Sequence, residues 1–471
     1  MAYQYLSFAA ARSILSERLQ DLNGIYFSQP NQLLQCLVES LRFFQSLTGS
    51  YKQKITFVAS PNVNYYDLPN LPTATYPSVS AIAYTVTTVE VVNNVMAALL
   101  EPPWTPGSAW TGTGQFTLDQ IVNALQYRLH RFLGDTGCVV QPQTIQAPGP
   151  TIDLIPIPDS VLDIRRCAWI SPSGGPTWAE LIQQWQNSDL SWISGTLAYP
   201  LGRVDEWAQQ AYFPASPQSP GLPSVYSVYG MPPTNIRVIP PPLNNGLLDC
   251  LFVQGGTQFN TMQSALIGIP DDLTPALKWG VLADVLSSDG PSRDYARADY
   301  CEQRYREFVQ AAALYPSVLT ADINGVTAGL GSVFDLDFYF PQWQQQIGSP
   351  SYIGMCGRNL VCLPTPDANG PYGVGLWMSV SAAVANAITN PDTTYLQVSK
   401  DQIDPILDYA QHIACFQMGG AEFEGTFRLA QNLIECARMQ NGRLDAVAFY
   451  KPRMQSNSNR SELMTARILK D

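Results

Sequence analysis

Two stretches near the start of the chain carry the same pattern of apolar positions. They begin at Gln32 and Gln120, and in both the apolar residues recur at steps of three and four, the spacing of one helix face. At a constant offset of 88 residues, the matched positions are Gln32 and Gln120, Leu33 and Ile121, Leu34 and Val122, Leu37 and Leu125, Leu41 and Leu129, and Phe44 and Phe132. Both stretches are therefore predicted to be amphipathic helices that bury the same face.

Each of these predicted helices opens a longer unit. Thr117 followed by Gln120 is a capping-box pattern, and Gly134 is predicted to be the glycine just beyond the second helix. Each helix leads to a Thr-Gly pair. A short predicted strand follows, ending in Leu-Pro at residues 68–69 or in Ile-Pro at residues 155–156.

Two strand patterns also occur twice, further along the chain. GLPSVY from Gly221 resembles GSPSY from Gly348, and NIRVIPPP from Asn235 resembles NLVCLPTP from Asn359. In each Asn-led segment a short apolar strand is halted by prolines, which cannot donate to a sheet ladder. Another apolar strand follows, LLDCLFV in the first case and VGLWMSV in the second.

A helical hairpin is the third repeated pattern. At an offset of 130 residues, DLTPALKWGVLA from Asp272 parallels QIDPILDYAQHIA from Gln402. Thr274 and Asp404 each precede a proline, which predicts an N-cap followed by proline at the first helical position. Both copies lead through a glycine to a long charged helix.

The order of the repeated patterns indicates nesting. The helix-and-strand pattern occurs twice in succession before the hairpin pattern does, whereas two modules in tandem would alternate. We predict an inner module, residues 116–320, inserted into an outer module of residues 1–110 and 330–445, with a tail at 446–471. Insertion at an exposed loop is physically tolerated, and the Pro- and Gly-rich EPPWTPGSAWTGTG has the composition of such a junction. Four small domains in succession are the alternative.

Charge is concentrated in the stretch SDGPSRDYARADYCEQRYREF, residues 288–308. Nine of its 21 residues are charged, against 14% in the whole chain. Pro291 is predicted to lie at the start of a helix. The predicted buried face of this helix consists of Ala298, Cys301, Tyr305, Phe308 and Ala312. The charges on the other face form either a solvated surface or a contact with a neighbouring subunit.

The chain as a whole has few charges. Its 14% of charged residues compares with about 25% in soluble domains, and it has 37 prolines. Interface cores are poor in charge and rich in aromatic residues, so much of the surface is predicted to be covered by partners. A secreted or loop-rich monomer is the alternative. The net charge of −12 disfavours nonspecific nucleic-acid binding by the whole surface.

Membrane and redox features give further expectations. No stretch approaches the roughly 20 apolar residues of a membrane helix, and the N-terminus lacks the pattern of a signal peptide. The nine cysteines are scattered without a CxxC pair. We therefore expect free thiols in a reducing cytoplasm.

The chain has little of the chemistry that enzymes use. Its two histidines, His130 and His412, have no Cys, Asp or His at metal-ligand spacing, and neither a Gly-x-Ser-x-Gly elbow nor a P-loop occurs. Asp335 and Asp337 in FDLDFYF hint at the carboxylate pair of a glycosidase, but alternation in a strand explains them better. We predict that the protein is not an enzyme and has no catalytic, cofactor-binding or metal-binding residues.

Several of these patterns together resemble one family. They are GLPSVY at residues 221–226, IRVIPPP at 236–242, the hairpin ending in DYARADY at 294–300, and YDLP at 66–69. With them the chain resembles the head-to-tail adaptor proteins of tailed bacteriophages, also called head completion, connector or tail tubular proteins. The resemblance covers most of the chain in diffuse form. The chain departs from the family in being internally duplicated.

The resemblance implies a fold and a role. The fold would be α+β, mainly α, with two similar helical-bundle modules that each carry a small β element, one inserted in the other. The protein would be a structural virion protein at the head–tail junction, assembled in the host cytoplasm. Its ring would join the portal of the head to the tail and continue the DNA channel. Alternatives are a capsid-decoration protein, a tail or fibre component, or a carbohydrate-active enzyme.

The resemblance also implies partners. The ring would usually have twelve copies, with six as the alternative for a doubled chain. The other partners would be the portal protein, tail proteins and passing double-stranded DNA, bound without sequence specificity. No membrane and no cofactor are expected.

Two segments are expected to contact other subunits or the portal. The expected residues are Arg293, Arg297, Tyr300 and Arg304 in the charged helix, and Lys451, Arg453, Arg460, Arg467 and Lys470 in the tail. Residues 449–471 carry five basic and two acidic side chains, a net charge of +3, and are too short to form a core. In adaptors that this chain resembles, a C-terminal segment often grips the portal, so this tail is expected to dock there.

Overall fold

The computed structural model of the chain is a mixed α/β structure, about 40% helical and 26% strand. It describes residues 5–27, 31–72, 74, 82–147, 154–170, 198–200, 202–203, 220–221, 223–230, 233–256, 258–290, 293–313, 318–340, 343–382, 384 and 386–450. The mixed helix and strand content was predicted. The β part is larger than the small elements that the resemblance implied, because one sheet has seven strands.

The elements follow one another in this chain order. The helices are α1 (Phe8–Arg18), α2 (Gln32–Thr48), α3 (Thr88–Ala98), α4 (Leu118–Thr136), α5 (Pro275–Ser287), α6 (Tyr295–Ala312), α7 (Val333–Tyr339), α8 (Lys400–Met418), α9 (Gly420–Glu424) and α10 (Phe427–Gln440). The strands are β1 (Leu6–Ser7), β2 (Lys52–Ala59), β3 (Tyr65–Asp67), β4 (Val140–Ala147), β5 (Leu154–Pro156), β6 (Val161–Ile170), β7 (Ala198–Pro200), β8 (Gly202–Arg203), β9 (Val225–Tyr229), β10 (Asn235–Ile239), β11 (Gly246–Gln254), β12 (Val318–Ile323), β13 (Val326–Ser332), β14 (Ile347–Gly348), β15 (Tyr352–Cys356), β16 (Asn359–Leu363), β17 (Thr365–Pro366), β18 (Tyr372–Ser379) and β19 (Tyr395–Leu396).

Helix α2 lies at the centre of the helical layer, and nearly all of its side chains are buried. It packs against α1, α8 and α10 and also contacts α5 and α6. Phe43 of α2 stacks on Tyr409 of α8 at 5.0 Å between ring centroids and tilts against Phe308 of α6 at 4.8 Å. Each such buried aromatic ring contributes about 1.5–3 kcal/mol through the hydrophobic effect. None of the described helices is both long enough and apolar enough to span a membrane.

The largest sheet joins the two ends of the chain. Its strand order is β2-β18-β12-β13-β15-β16-β3, and all neighbours are antiparallel except β13 and β15. Ile55 of β2 lies opposite Leu376 of β18, and both are buried. The apolar alternation of β2 therefore faces the core, while its lysines face solvent.

The central part of the chain forms two four-stranded sheets of its own, with the orders β4-β11-β6-β7 and β5-β10-β9-β8. The inward sides of the two sheets pack around a core that includes Trp169, Phe252 and Ile236. Cys250 of β11 lies opposite Cys167 of β6, with 3.5 Å between the sulfur atoms.

Helix α4 ends later than the sequence predicted. Gly134 lies within the helix, which continues to Thr136 and is closed by Gly137. The reason is that a terminating glycine needs a left-handed backbone, and it is Gly137 that has a φ of 58° and donates its N–H to the Leu133 carbonyl. At the start of this helix the Thr117 side chain accepts the Gln120 N–H as a capping box requires, but the Gln120 side chain donates to Ser288 instead of bonding back to Thr117, so only half of the predicted box is formed.

Two later helices also begin at positions other than those predicted. Helix α8 begins at Lys400, where Ser399 and Gln402 form a capping box, so Asp404 is not its N-cap. Pro405 lies inside the helix, in its second turn, where it removes one backbone hydrogen bond. Helix α6 begins at Tyr295 rather than near Pro291, which lies outside the described residues, because Asp294 caps it. Thr274 and Pro275 open helix α5 as predicted.

Candidate interaction surface

Helix α6, the charged helix of the sequence, has the predicted buried face. Ala298, Cys301, Tyr305, Phe308 and Ala312 are all buried. The Asp294 carboxylate fixes the start of the helix by accepting the Arg297 N–H at 3.1 Å. The helix packs against α5, α4 and α2, so this face is part of the chain's own core.

Two of the four residues expected to contact other subunits from this helix lie inside the chain, which corrects that expectation. Tyr300 is 2% exposed and Arg304 is 1% exposed. Arg304 pairs with Glu307, donates to the Tyr409 hydroxyl and lies 4.7 Å from the centre of the Phe43 ring. A charge is tolerated there because an opposite charge and aromatic faces surround it.

Tyr300 belongs to a buried chain of polar contacts. Its hydroxyl lies 2.7 Å from Nε2 of His412, and Nδ1 of His412 lies 2.8 Å from the Thr426 hydroxyl. Burial, with Arg304 also nearby, lowers the pKa of His412 to about 3, so the imidazole is neutral at pH 7. The contacts link α6, α8 and the start of α10. The sequence placed His412 in the hairpin helix but gave no sign of these partners.

The other two expected residues lie nearer the surface. Arg293 pairs with Asp289 at 2.7 Å and lies over the Tyr295 ring at 3.9 Å, with its side chain 40% exposed. Arg297 donates to the Phe416 carbonyl at 2.9 Å and lies over the Phe416 ring. Within this chain both arginines therefore have partners, and Arg293 is the more accessible of the two.

The last described residue lies beside helix α6. Lys451, Arg453, Arg460, Arg467 and Lys470 lie outside the described residues. The described chain ends at Tyr450, whose N–H donates to the Glu307 carboxylate and whose ring meets that of Tyr300 at 5.2 Å. Glu307, which pairs with Arg304, therefore fixes the backbone at the last described residue.

The segment FDLDFYF, expected to be a strand, is a helix that carries a second buried ion pair. These residues form helix α7, with a capping box between Ser332 and Asp335, so the predicted strand is wrong. A helix forms here instead of a strand for two reasons. The cap satisfies the first N–H groups of the helix, and Val333 and Leu336 are buried on one of its faces. Asp337 accepts two hydrogen bonds from Arg166, at 2.6 and 2.7 Å.

Arg166 connects the central sheets to helix α7. It is 4% exposed, and besides Asp337 it also pairs with Asp249 of β11 at 3.0 Å. Its guanidinium group lies 5.4 Å from the centre of the Trp343 ring. The two carboxylates that suggested a glycosidase thus cap a helix and pair with an arginine.

The remaining residues that the sequence analysis considered are His130 and the cysteines. His130 is half-buried and lies 2.6 Å from the Gln126 amide nitrogen. All nine cysteines are free thiols, and eight of them are buried. Over the described residues, no group of three or more His, Cys, Asp or Glu side chains could hold a metal ion.

Comparison with known proteins adds no family. No protein-family model matches the chain, and no curated protein matches it with significant similarity.

Proposed function

We propose that the chain is a structural virion protein whose ring joins the portal of a phage head to the tail and continues the DNA channel. The observation that carries the proposal is an internal correspondence of strand registers. It supports two similar modules, one nested in the other, an arrangement in which this chain departs from the adaptors that it resembles.

The first matched pair of strands is β2 with β18 and β4 with β11. Lys52 lies opposite Ser379, and Val140 lies opposite Val253. The residues on β2 and β4 are separated by 88 positions, the same offset that relates helices α2 and α4. The register is kept along the whole ladder. Ala59 lies opposite Tyr372 and Ala147 opposite Gly246, so both ends of the two ladders are related by 88 residues on the first strand and by 126 on the second.

The second matched set is the hairpin beside each short strand. Asp67 of β3 lies opposite Asn359, and Pro156 of β5 lies opposite Asn235. The Asn-led strands pair on their other side with β15 and β9, in the registers Tyr352 to Leu363 and Val225 to Ile239. The two hairpins are therefore equivalent strand for strand.

The helices that precede these strands close in the same way. Gly49 and Gly137 are both left-handed, and their N–H groups bond to the carbonyls of Gln45 and Leu133. Gly49 and Gly137 are 88 residues apart, and so are Gln45 and Leu133. Helices α5 and α6 form one hairpin, and α8 packs against α10 in the other.

The insertion point follows from the third strand of each ladder. Strand β11 has β6 as its second neighbour, and β18 has β12, both antiparallel. In the chain β6 lies between β5 and β9, and β12 lies between β3 and β15, with the inner module between β3 and β12. Because β12 (Val318–Ile323) pairs with β18, the proposed boundary moves to just before residue 318, ahead of the predicted 320 and 330.

A doubled module fits a ring with twelvefold character. Each chain presents two similar units, so six chains or twelve can form the ring, with the portal and tail proteins above and below and DNA passing through. The tail at 446–471 is proposed to dock on the portal. The low charge of the chain is consistent with a surface covered by partners.

Electron microscopy of virions labelled with an antibody against the chain tests this function. Label at the single vertex where the tail attaches, and a ring there in unlabelled virions, is the expected result. Label spread over the capsid would identify a decoration protein instead. Label along the fibres, or none on the virion, would equally overturn the proposal.

A further inference from the structure

Cys167 and Cys250 face each other across the neighbouring strands β6 and β11. The two residues lie directly opposite in the antiparallel ladder, and their sulfur atoms are 3.5 Å apart. Both are free thiols, with 1% and 0% of the residue exposed, and both belong to the core between the two four-stranded sheets. The backbone of the sheet therefore holds the two thiols side by side, as it does any directly opposite pair on one face.

The backbone at this pair has the spacing that a disulfide needs. Directly opposite residues of an antiparallel pair have Cα atoms about 4.5–5.5 Å apart, and disulfides join cysteines whose Cα atoms are about 4.4–6.8 Å apart. The sulfur atoms are already in contact, so bond formation requires them to approach by roughly 1.5 Å, to a bond length of about 2.05 Å. Small rotations about the two Cα–Cβ bonds bring the sulfur atoms together, and the ladder of β6 and β11 stays paired.

The corresponding pair in the large sheet indicates that packing alone does not require thiols here. With the offset of 126 residues that relates β11 to β18, Cys250 corresponds to Leu376, whose partner on β12 is Ala321. Ala321 and Leu376 are likewise buried. The same place in a similar ladder is therefore filled by two aliphatic side chains. The two cysteines of the central sheet add a chemistry that the core does not need for packing.

The surroundings of the pair favour the reduced state where oxidants are scarce. Cys250 donates a hydrogen bond to Cys167, and this contact together with burial raises the pKa of Cys250 well above its ordinary value. Because the reactive form of a thiol is the thiolate, reaction of this buried pair with bulky disulfides is slow. Hydrogen peroxide is small enough to reach the pair during local openings of the sheet.

We propose that Cys167 and Cys250 form an oxidation site, which closes to an intramolecular disulfide when the chain meets hydrogen peroxide outside a reducing compartment. The peroxide converts one thiol to a sulfenic acid, and its other oxygen leaves as water. The second sulfur then displaces the hydroxyl group of the sulfenic acid, so the S–S bond forms and a second water is released. In total the two thiols lose two electrons and two protons to the peroxide, whose O–O bond is broken.

The disulfide bridges a long segment of the chain. The two cysteines are 83 positions apart, and strands β7, β8, β9 and β10 lie between them. Closing a loop of this length restricts the unfolded chain more than closing a short loop does, which stabilises the folded state. Oxidation should therefore raise the temperature of unfolding. The site depends on the ladder register and the sulfur contact alone, so it remains if the protein has a role other than the one proposed above.

Mass spectrometry of the full chain tests the site. The chain is purified with a reductant, freed of it, treated with hydrogen peroxide, unfolded and alkylated with N-ethylmaleimide. The untreated chain should carry nine labels, and the treated chain should carry two fewer. Peptide mapping without reduction should identify the link between Cys167 and Cys250. The temperature of unfolding should rise by on the order of 5 °C, and dithiothreitol should reverse the rise.

Alanine variants of single cysteines provide the controls. Cys167→Ala and Cys250→Ala each remove one sulfur, so neither should gain the link or the rise in unfolding temperature. Cys362→Ala is the matched control, because Cys362 is equally buried in a strand ladder but lies opposite Ile353, and it should oxidise as the wild type does. The peptide map of the wild type needs no variant, so it decides the matter even where an alanine substitution prevents folding.

Three results would rule the site out. The first is nine labels on the wild type after peroxide treatment. The second is a link that joins other cysteines in place of Cys167 and Cys250. The third is a rise in unfolding temperature in Cys167→Ala equal to that of the wild type, because that variant cannot form the link.

Discussion

Arg304 and Glu307 form an ion pair in the middle of the helical core, where each residue is 1% exposed. The pair joins three parts of the molecule. Arg304 reaches Tyr409 on helix α8, Glu307 receives the Tyr450 N–H from the start of the tail, and both residues belong to helix α6. The stability of the core and the position of the last described residue therefore depend on the same two charges.

Glu307→Gln should lower the free energy of unfolding by about 3–5 kcal/mol, because it leaves the buried Arg304 charge without an opposite charge. Urea unfolding followed by circular dichroism measures the change. Arg304→Met combined with Glu307→Leu, which removes both charges, should cost less than the single substitution. Arg306→Ala is the matched control, since its pair with Glu302 is exposed and should be worth about 1 kcal/mol or less. This account would be contradicted if Glu307→Gln lowered the free energy of unfolding by less than Arg306→Ala does.

His412 should make stability fall as the pH is lowered. Its pKa is about 3 in the folded chain, because burial next to Arg304 disfavours the charged imidazole, and ordinary in the unfolded chain. Its contribution is therefore fully present above about pH 6.5 and decreases by about 1.4 kcal/mol per pH unit below it, as only the unfolded state takes up the proton. Tyr300, Thr426 and Tyr409 face it, and none of them carries a carboxylate that could offset this charge.

The measurement is urea unfolding of the wild type and His412→Gln at pH 7 and pH 4.5. The free-energy difference between the two pH values should be smaller in the variant, because other groups titrate in both proteins and only the histidine term is removed. In His130→Gln, the change in unfolding free energy between the two pH values should be closer to that of the wild type than it is in His412→Gln. Equal pH dependence in the wild type and His412→Gln would rule the histidine out as the cause.

Asp337→Asn should destabilise the link between the central sheets and helix α7. Removing the charge weakens two hydrogen bonds to the buried Arg166 and should cost about 2–3 kcal/mol. Asp335→Asn, two residues away, alters only the helix cap and should cost about 1 kcal/mol or less. Thermal unfolding of both variants compares the two roles directly. A larger effect of Asp335→Asn would mean that the cap, and not the ion pair, holds the helix in place.

Deletion of residues 451–471 should leave the fold intact and abolish attachment to DNA-filled heads. The cut falls after Tyr450, so the hydrogen bond to Glu307 is kept and stability is expected to stay within about 0.5 kcal/mol of the full chain. Co-sedimentation with heads measures attachment. Deletion from residue 449 should in addition destabilise the core, since Glu307 then loses a partner. Unchanged attachment of the shorter chain would assign docking elsewhere, and the exposed Arg293, just before helix α6, would be the next candidate.

The repeated elements could be predicted because their determinants are local. The apolar stripes of α2 and α4 and the proline-stopped strands β10 and β16 depend on residues within one or two turns. The end of α4 was misplaced for a similarly local reason. Gly134 is tolerated inside a helix, and only the backbone angle at Gly137 shows which glycine ends it.

The interior of the site could not be predicted, because its partners are distant in sequence. Arg304 was expected at the surface, as most arginines are, but Tyr409 and Phe43 lie more than a hundred residues away on other helices. His412 depends on Tyr300 in the same way. At FDLDFYF the alternating pattern favoured a strand, and the capping box of Ser332 with Asp335 decided for a helix.

The pairing of β2 with β18 has a consequence for synthesis on the ribosome. Strand β2 ends at Ala59 and β18 begins at Tyr372, so roughly 310 residues are made between them, which takes on the order of 15–60 s at about 5–20 residues per second. During that time the proposed inner module can fold, whereas the apolar faces of α2 and β2 remain uncovered. We therefore expect the proposed inner module to fold before the proposed outer module, whose first strand gains its partner only when β18 has been made.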